Sequence, residues 1–320
     1  MPDLRAPTLE EIRAARGRIG DFVLRTPLIP LPLDIPGTTI YIKPENLQEI
    51  GSFKVRGAGN AVASMSREEL ADGVYTASAG NMAQGLAWSA RRLGIPCGVV
   101  IPEHAPEAKV AAIERLGARI VKVPFETWWR VIEEHRHPGM RGRFVHPVSD
   151  RAVIAGNGTI GLEIAEDLPG VESVLVPYGG GGLSSGIASA LRGVAPRARV
   201  IACEVETAAP LAASLAAGAP VTVEYRPSFV DVIGGKSVLA EMWPLASTLL
   251  SGSVVVSLEE IAAAIRLLVS RARIVAEGAG AASLAAATSG RAGTGVIVCV
   301  VSGGNLDPAK LAAILTGTIP

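Results

Sequence analysis

The chain has 320 residues, enough for one large or two medium domains, since single hydrophobic cores stop growing at roughly 250–300 residues. Its 30 basic and 30 acidic residues cancel to a formal net charge of +0 without forming runs of one sign, so we expect neither nucleic acid nor membrane as a partner. The 49% hydrophobic composition, with 36 glycines and 4% aromatics, excludes disorder, collagen and a disulfide scaffold, and it is typical of layered α/β proteins.

Short β-branched runs alternate along the chain with amphipathic stretches. In chain order the runs are TIYIK, GVYTAS, CGVVIP, ARIVKV, SVLVPY, RVIACEVE, SVVVS and GVIVCVVS. Between them, Ala, Leu and Ile recur at helical spacing, for example over residues 82–93, 106–116, 183–191 and 258–270. This alternation predicts mainly parallel sheets covered by helices on both faces, with ligands bound where the strands end.

The rhythm of these elements also predicts the domain organisation. Four strand–helix units run compactly over residues 73–147, with no Ser-, Pro- or charge-rich linker on either side. We therefore predict two three-layer α/β/α domains: a large one from residues 1–72 and 148–320, and a small inserted one from residues 73–147. We expect no appended regulatory domain after the last helix, near Leu311.

The chain shows no sign of export or membrane insertion. Its start is charged and lacks the apolar region of a signal peptide, and its uncharged stretches are broken by Gly, Pro and Ser. The three cysteines, Cys97, Cys203 and Cys299, lie inside strand-like runs without paired spacing. We expect a cytoplasmic protein with reduced, buried thiols.

A run of four glycines, residues 179–182, follows the strand-like SVLVPY and precedes a helix. Consecutive glycines leave bare backbone N–H groups close together, and a helix N-terminus adds positive potential, so the run predicts a phosphate site. It is not a Walker loop, because the GxxxxGK[ST] spacing and its lysine are missing.

A second glycine motif, residues 156–161 (GNGTIG), satisfies GxGxxG and leaves an NAD-dependent dehydrogenase open as an alternative. The preceding residues resemble a capped helix start rather than a strand, and no acidic residue ends a following strand at the required distance. A non-catalytic phosphate-binding protein is the other alternative from a different class.

Lys54 lies in residues 51–58 (GSFKVRGA), among small and apolar neighbours. Desolvation favours the neutral amine of a lysine and hence Schiff-base chemistry, although most lysines are merely solvated surface charges. A phosphate loop together with an amine-reactive lysine is what pyridoxal phosphate requires.

Two further loops, residues 78–85 (SAGNMAQG) and 302–305 (SGGN), follow strand-like runs and offer N–H groups, amides and a hydroxyl. The histidines lack the spacing and carboxylate company of a metal site, and we expect all four on the solvated surface: His104, His135, His137 and His146.

With these motifs in this order, the chain resembles the fold-type II pyridoxal-phosphate enzymes, which are tryptophan-synthase-β-like. Within them it is similar to the threonine/serine dehydratases (ammonia-lyases) and serine racemases. The resemblance covers nearly the whole chain, and its motifs are RTPL, KPENLQ, GSFKVRGA, SAGNMAQG, APEAK, AGNGTIGLEI, VPYGGGGL, AEGAGA and VSGGN. It implies that Lys54 forms the Schiff base with pyridoxal 5'-phosphate, Phe53 packs beside the ring and Asn81 contacts the ring hydroxyl. It further implies that Ser302 faces the pyridine nitrogen and that the phosphate is bound by Gly179, Gly180, Gly181, Gly182 and Leu183.

The resemblance implies β-elimination from a small β-hydroxy amino acid, L-threonine or L-serine, to a 2-oxo acid and ammonia, in a homodimer. Alternative substrates are 3-hydroxyaspartate and an amino acid derived from hydroxyectoine, since the chain is also similar to the hydroxyectoine-utilisation branch. Serine racemase and cysteine-synthase-like β-replacement are alternative activities. The implied substrate-binding residues are Ser78, Ala79, Gly80, Asn81 and Met82.

The chain departs from the family pattern at several of these positions. Ala79 replaces the serine that serves as second proton donor in racemases, which disfavours racemisation. Metal-activated members pair a glutamate, here Glu204, with an aspartate where this chain has Pro210, so we predict no metal site. Met82 replaces a common histidine and residues 231–236 (DVIGGK) are unusual, which leaves the substrate's identity open.

Overall fold

The β-branched runs of the sequence form two sheets. The computed structural model describes residues 4–320, and residues 1–3 of the predicted large domain lie outside the described part. The strands are β1 (Ile29–Leu31), β2 (Thr38–Pro44), β3 (Val74–Ala77), β4 (Cys97–Pro102), β5 (Arg119–Val123), β6 (Arg143–Phe144), β7 (Ser173–Pro177), β8 (Arg199–Val205), β9 (Ser253–Val256) and β10 (Gly295–Val301).

The six-stranded sheet has the order β1-β2-β10-β7-β8-β9, and the four-stranded sheet has the order β5-β4-β3-β6. Every pairing is parallel except β1 with β2. The prediction of an α/β fold with mainly parallel sheets is confirmed. The sequence does not reveal β1 and β6, because 3 and 2 residues are too short to show a periodic pattern.

Helices connect these strands. They are α1 (Leu9–Ile19), α2 (Lys54–Ala63), α3 (Asn81–Arg92), α4 (Glu107–Arg115), α5 (Phe125–Glu134), α6 (Arg151–Asp167), α7 (Gly182–Val194), α8 (Pro210–Ala217), α9 (Trp243–Leu249), α10 (Leu258–Leu267), α11 (Gly278–Thr288) and α12 (Pro308–Leu315). Short 3₁₀ turns cover Glu45–Leu47 and Ala240–Met242, and a π-helical turn over Leu268–Ala272 prolongs α10. The helical stretches predicted from spacing correspond to α3, α4, α7 and α10.

The GxGxxG motif lies inside α6, which the Asp150 side chain caps. A Cβ on Gly156 would lie 2.4 Å from the carbonyl oxygen of Arg56, and one on Gly158 would lie 2.9 Å from that of Gly186. These glycines therefore allow α6 to pack closely against α2 and α7. The motif serves helix packing and is not the strand-to-helix turn that a dinucleotide site requires.

A buried charge network fixes α2, the helix that begins at Lys54. The Arg56 guanidinium donates to Glu45 at 2.7 Å and to Glu163 at 2.6 Å, and Lys43 Nζ donates to Glu163 at 2.6 Å. All four side chains are buried, so each charge depends on its partners. Both carboxylates raise the pKa of Arg56 further, against the effect of burial. The network ties α2 to β2, to the turn after β2 and to α6.

The four-stranded sheet is built from residues 74–144, with α3, α4 and α5 between its strands. It thus has four strands but three helices, one helix fewer than the predicted units. We propose that residues 73–147 are the small domain and that the rest of the chain is the large one.

Cys203 and Cys299 are buried, as predicted, whereas Cys97 is half-buried. All three cysteines have free thiols. Within residues 4–320, no helix combines the length and the apolar character needed to cross a bilayer.

Candidate active site

One cavity lies where β7 and β10 end, beside the first turns of α2 and α3. The structure brings together there all the residues predicted to contact a cofactor. Its lining comprises Phe53, Lys54, Asn81, Val148, Pro177, Gly179, Gly180, Gly181, Gly182, Leu183, Val232, Ile233, Glu277, Ala279 and Ser302. Strand ends of parallel sheets are where α/β proteins bind ligands.

The glycine loop presents its backbone to this cavity. Within the described chain, no hydrogen bond is formed by the backbone N–H groups of residues 179–183, which precede and open α7. A helix N-terminus with unpaired N–H groups attracts anions. The loop therefore offers an anion cradle on one wall of the cavity.

Glycine is required in this loop by close contacts and by backbone conformation. A Cβ on Gly180 would lie 2.5 Å from Cγ2 of Val148, and one on Gly182 would lie 2.8 Å from the carbonyl oxygen of Val148. Gly181 has φ +92°, which is in the left-handed region. Val148, which also lines the cavity, thus packs directly against the loop.

The Lys54 side chain enters the cavity from the start of α2. Its Nζ donates to the carbonyl oxygen of Pro147 at 2.7 Å and lies 5.3 Å from the centre of the Phe53 ring. Burial lowers the pKa of Lys54 to about 8, because no carboxylate compensates the charge. A substantial fraction of this amine is neutral near physiological pH, and a neutral amine is a nucleophile and a base.

A polar network surrounds the amide of Asn81. Asn81 Nδ2 donates to Glu277 Oε1 at 2.9 Å, and Asn305 Nδ2 donates to Asn81 Oδ1 at 2.8 Å. Burial raises the pKa of Glu277 to about 8. The Asn81 amide is thereby held in one orientation, next to a carboxyl group that carries a proton at neutral pH.

Ser302 occupies the end of β10. Its residue is 4% exposed, its carbonyl accepts from the N–H of Phe53 at 3.0 Å, and its hydroxyl makes no hydrogen bond within residues 4–320. Ser302 therefore brings a neutral hydroxyl, available for a ligand, close to the Lys54 segment.

The predicted substrate loop only partly reaches the cavity. Asn81 lines it, whereas Ser78, Ala79 and Gly80 lie half-buried beside it. The Met82 side chain is 1% exposed and packs among buried apolar residues of α2, α3, α6 and β3. The Met82 side chain therefore does not line the cavity, because one residue further along α3 turns it about 100° away from Asn81, and the assignment of Met82 to substrate binding stays a prediction.

The expectation that all four histidines are solvated is partly wrong. His104 is exposed, but His135 and His137 are half-buried and His146 is 2% exposed. The His135 and His146 rings lie 4.5 Å apart between centroids, and the ligand atoms of these two and Glu241 all lie within 4.8 Å of one another. Their distance in sequence conceals this cluster, which the fold brings together.

Both carboxylate oxygens of Glu204 accept hydrogen bonds from other groups of the protein. Its carboxylate accepts the backbone N–H groups of Leu211 and Ala212, each at 2.8 Å, and the Ser253 hydroxyl at 2.6 Å. Burial raises its pKa. Glu204 thus serves the N-terminus of α8, in which Pro210 is the first residue.

Sequence reasoning assigned no role to Glu277, Pro147 and Val148. The signal for Glu277 was present, because it is an isolated charge in the apolar IVAEGAGAASLAAA. Pro147 and Val148 carry no such signal, since their contacts to Lys54 and the glycine loop arise from tertiary packing.

Comparison with known proteins agrees with this geometry. The chain is 42% identical over 306 residues to an L-threonine ammonia-lyase of Thermotoga maritima, covering 94% of this chain and 76% of that one. It is 39% identical over 320 residues to a catabolic L-threonine dehydratase of Staphylococcus aureus, covering 96% and 92%. The structure of maize serine racemase superposes with a TM-score of 0.87 at 32% identity, covering 98% of both chains. Residues 19–303 match the family described as pyridoxal-phosphate dependent enzyme, and the chain belongs to that family.

Proposed function

We propose that this enzyme converts a small β-hydroxy amino acid, L-threonine or L-serine, to the 2-oxo acid and ammonia, through loss of the β-hydroxyl as water and a later hydrolysis. One observation carries the proposal: the Lys54 amine and the unbonded N–H groups of residues 179–183 face the same cavity. The identity to proteins named L-threonine ammonia-lyase and L-threonine dehydratase supports the choice of substrate.

The cavity fits pyridoxal phosphate on features of the chain itself. The open cradle of residues 179–183 suits the phosphate, and side chains on these glycines would clash with Val148 or strain the loop. In our assignment Lys54 would bind the cofactor's carbonyl carbon, Asn81 would contact its ring hydroxyl, and Ser302 would face its ring nitrogen, with Phe53 beside the ring. When bound, pyridoxal phosphate supplies an electron sink for the charge that develops on the substrate's α-carbon.

Lys54 is the base of the proposed reaction. Lys54 would hold the cofactor until substrate binds, and its freed amine would then remove the substrate's α-proton. A pKa near 8 suits this task, because a base is most effective when its pKa lies near the working pH. The α-hydrogen and the β-hydroxyl leave as one water, and hydrolysis consumes one water and releases ammonia. The net change is amino acid to 2-oxo acid plus ammonia.

Ser302 favours elimination in this scheme. A neutral hydroxyl at the ring nitrogen stabilises a full negative charge on the α-carbon less than a carboxylate would stabilise it. Early loss of the β-hydroxyl is then preferred over the long-lived carbanion that transamination requires.

Location of the cofactor on Lys54 tests the proposal. Borohydride reduction of the yellow holoenzyme followed by peptide mapping should place the adduct on Lys54, and Lys54→Ala should retain no reducible adduct. An adduct on another lysine would contradict the assignment. L-Threonine and L-serine should each yield a 2-oxo acid; if only 3-hydroxyaspartate or a hydroxyectoine-derived amino acid does, the substrate is wrong and the mechanism stands. O-Acetylserine with sulfide tests β-replacement.

We also propose that the enzyme acts as a homodimer in the cytoplasm. Light scattering of the purified protein at several concentrations tests the dimer, and cell fractionation tests the location.

A further inference from the structure

Residues 147–149 connect the two halves of the proposed cofactor site. The Pro147 carbonyl oxygen accepts from Lys54 Nζ at 2.7 Å. The next residue, Val148, lies so close to the glycine loop that a Cβ on Gly180 or Gly182 would meet it at 2.5 or 2.8 Å. A shift of this short segment would therefore move both the lysine amine and the phosphate cradle.

The buried imidazole of His146 holds this segment in place. Its Nδ1 accepts the backbone N–H of Val148 at 3.1 Å and that of Ser149 at 2.7 Å, and Ser149 Oγ lies 2.8 Å away. Because two N–H groups donate to Nδ1, that nitrogen carries no proton, and the proton of the neutral ring is on Nε2. Burial lowers the pKa of His146 to about 3, in agreement with a neutral ring.

The same hydrogen bonds argue against a metal at the cluster of His135, His146 and Glu241. Metal-bound histidines donate the proton of their second ring nitrogen to an oxygen acceptor. At His146 that second nitrogen instead accepts two N–H groups, so Nε2 has no lone pair to offer. The chemistry of His146 is therefore directed at the backbone of the active-site segment.

We propose that His146 is a positioning residue. Through Nδ1 it holds the Pro147 carbonyl where Lys54 donates to it, and it holds Val148 where the glycine loop packs against it. The proposal rests on the proposed function, in which Lys54 and this loop hold the cofactor. The imidazole of His146 thus aligns the Lys54 amine and the glycine loop without direct contact with either.

Two amide substitutions separate the ring nitrogens. The amide of His146→Asn lies near the position of Nδ1 and retains an acceptor there, whereas the longer His146→Gln places its amide near Nε2. In the holoenzyme, we expect His146→Asn to stay within about threefold of wild type in kcat, and His146→Gln to lose about 10- to 100-fold, because a misplacement of 1 Å has effects of this size. His135→Leu, on the Nε2 side, is the matched control and should resemble wild type.

The spectrum of the bound cofactor and its dissociation rate provide readouts that a general loss of stability would not move. His146→Gln should shift the visible absorption and speed cofactor loss about tenfold, while melting curves report any unfolding separately. Retention of activity by His146→Gln with loss in His146→Asn, or equal loss in both, would overturn the proposal. If the wild-type adduct is not on Lys54, the proposed function fails instead, which peptide mapping shows independently.

Discussion

Replacement of Lys54 by methionine is expected to stabilise the cofactor-free protein at neutral pH. The lysine charge lies in a largely enclosed cavity without a carboxylate partner, and burial lowers its pKa from 10.5 to about 8. A tenfold change in proton affinity is worth about 1.4 kcal/mol, so this shift corresponds to at most about 3.5 kcal/mol of unfavourable free energy. The opening of the cavity to water and the lost hydrogen bond to Pro147 reduce the expected gain to about 1–2 kcal/mol.

The pH dependence gives the sharper test. Below the folded pKa of about 8, Lys54 is protonated in both states and the penalty is fully present. Between about 8 and the unfolded value of about 10.4, the unfolded state binds more protons, so wild-type stability rises with pH. Above that range the penalty is gone. The advantage of Lys54→Met should therefore shrink as the pH rises from about 7 to about 10.

Urea unfolding of the cofactor-free proteins at fixed concentration, at about pH 7 and about pH 10, measures both quantities. Lys122→Met replaces an exposed lysine and should change stability by less than about 0.5 kcal/mol at either pH. An advantage of Lys54→Met that is equal at both pH values, or a loss of stability at neutral pH, would refute the claim that the Lys54 charge is desolvated.

Three further predictions concern the cavity and its surroundings. Gly180→Ala should weaken cofactor binding about 10- to 100-fold in a cofactor titration, because its Cβ would lie 2.5 Å from Val148. The double variant with Val148→Ala should recover much of this loss, and absence of recovery would contradict the steric cause. Activity should persist in EDTA, because hydrogen bonds engage both Glu204 oxygens; loss of activity that magnesium restores would count against this interpretation. Wild type should leave unreacted L-serine enantiomerically pure, since the Ala79 methyl cannot donate a proton, whereas Ala79→Ser should release D-serine. Chiral chromatography of the unreacted substrate measures this, and D-serine from wild type would show that another acid donates the proton.

The sequence predicts this fold well because each buried parallel strand is encoded by a continuous apolar, β-branched run. Runs such as VIVCVV are apolar on both faces and β-branched, and they become central strands such as β10. The glycine loop is also visible in the sequence, because four consecutive glycines, residues 179–182, directly follow a strand-like run.

The sequence is least informative where tertiary packing decides the surroundings of a residue. Met82 lies next to Asn81 in sequence, but the helical rotation sends the two side chains to different places. His146 looks like any polar residue near a proline, and its burial depends on α5 and the turn at residues 240–242, which sequence periodicity does not locate. The positions of Pro147 and Val148 at the site also result from tertiary packing.

The buried ion network around Arg56 has a consequence for how this protein can change. Removal of one member, for example by Glu163→Gln or Lys43→Met, leaves the network with one uncompensated buried charge and is expected to cost about 3–5 kcal/mol, a large share of the stability of a typical domain. Simultaneous replacement of Lys43, Glu45, Arg56 and Glu163 by well-packed apolar side chains would avoid this penalty. These four positions can therefore change at low cost only together, and single substitutions at any one of them are expected to be selected against.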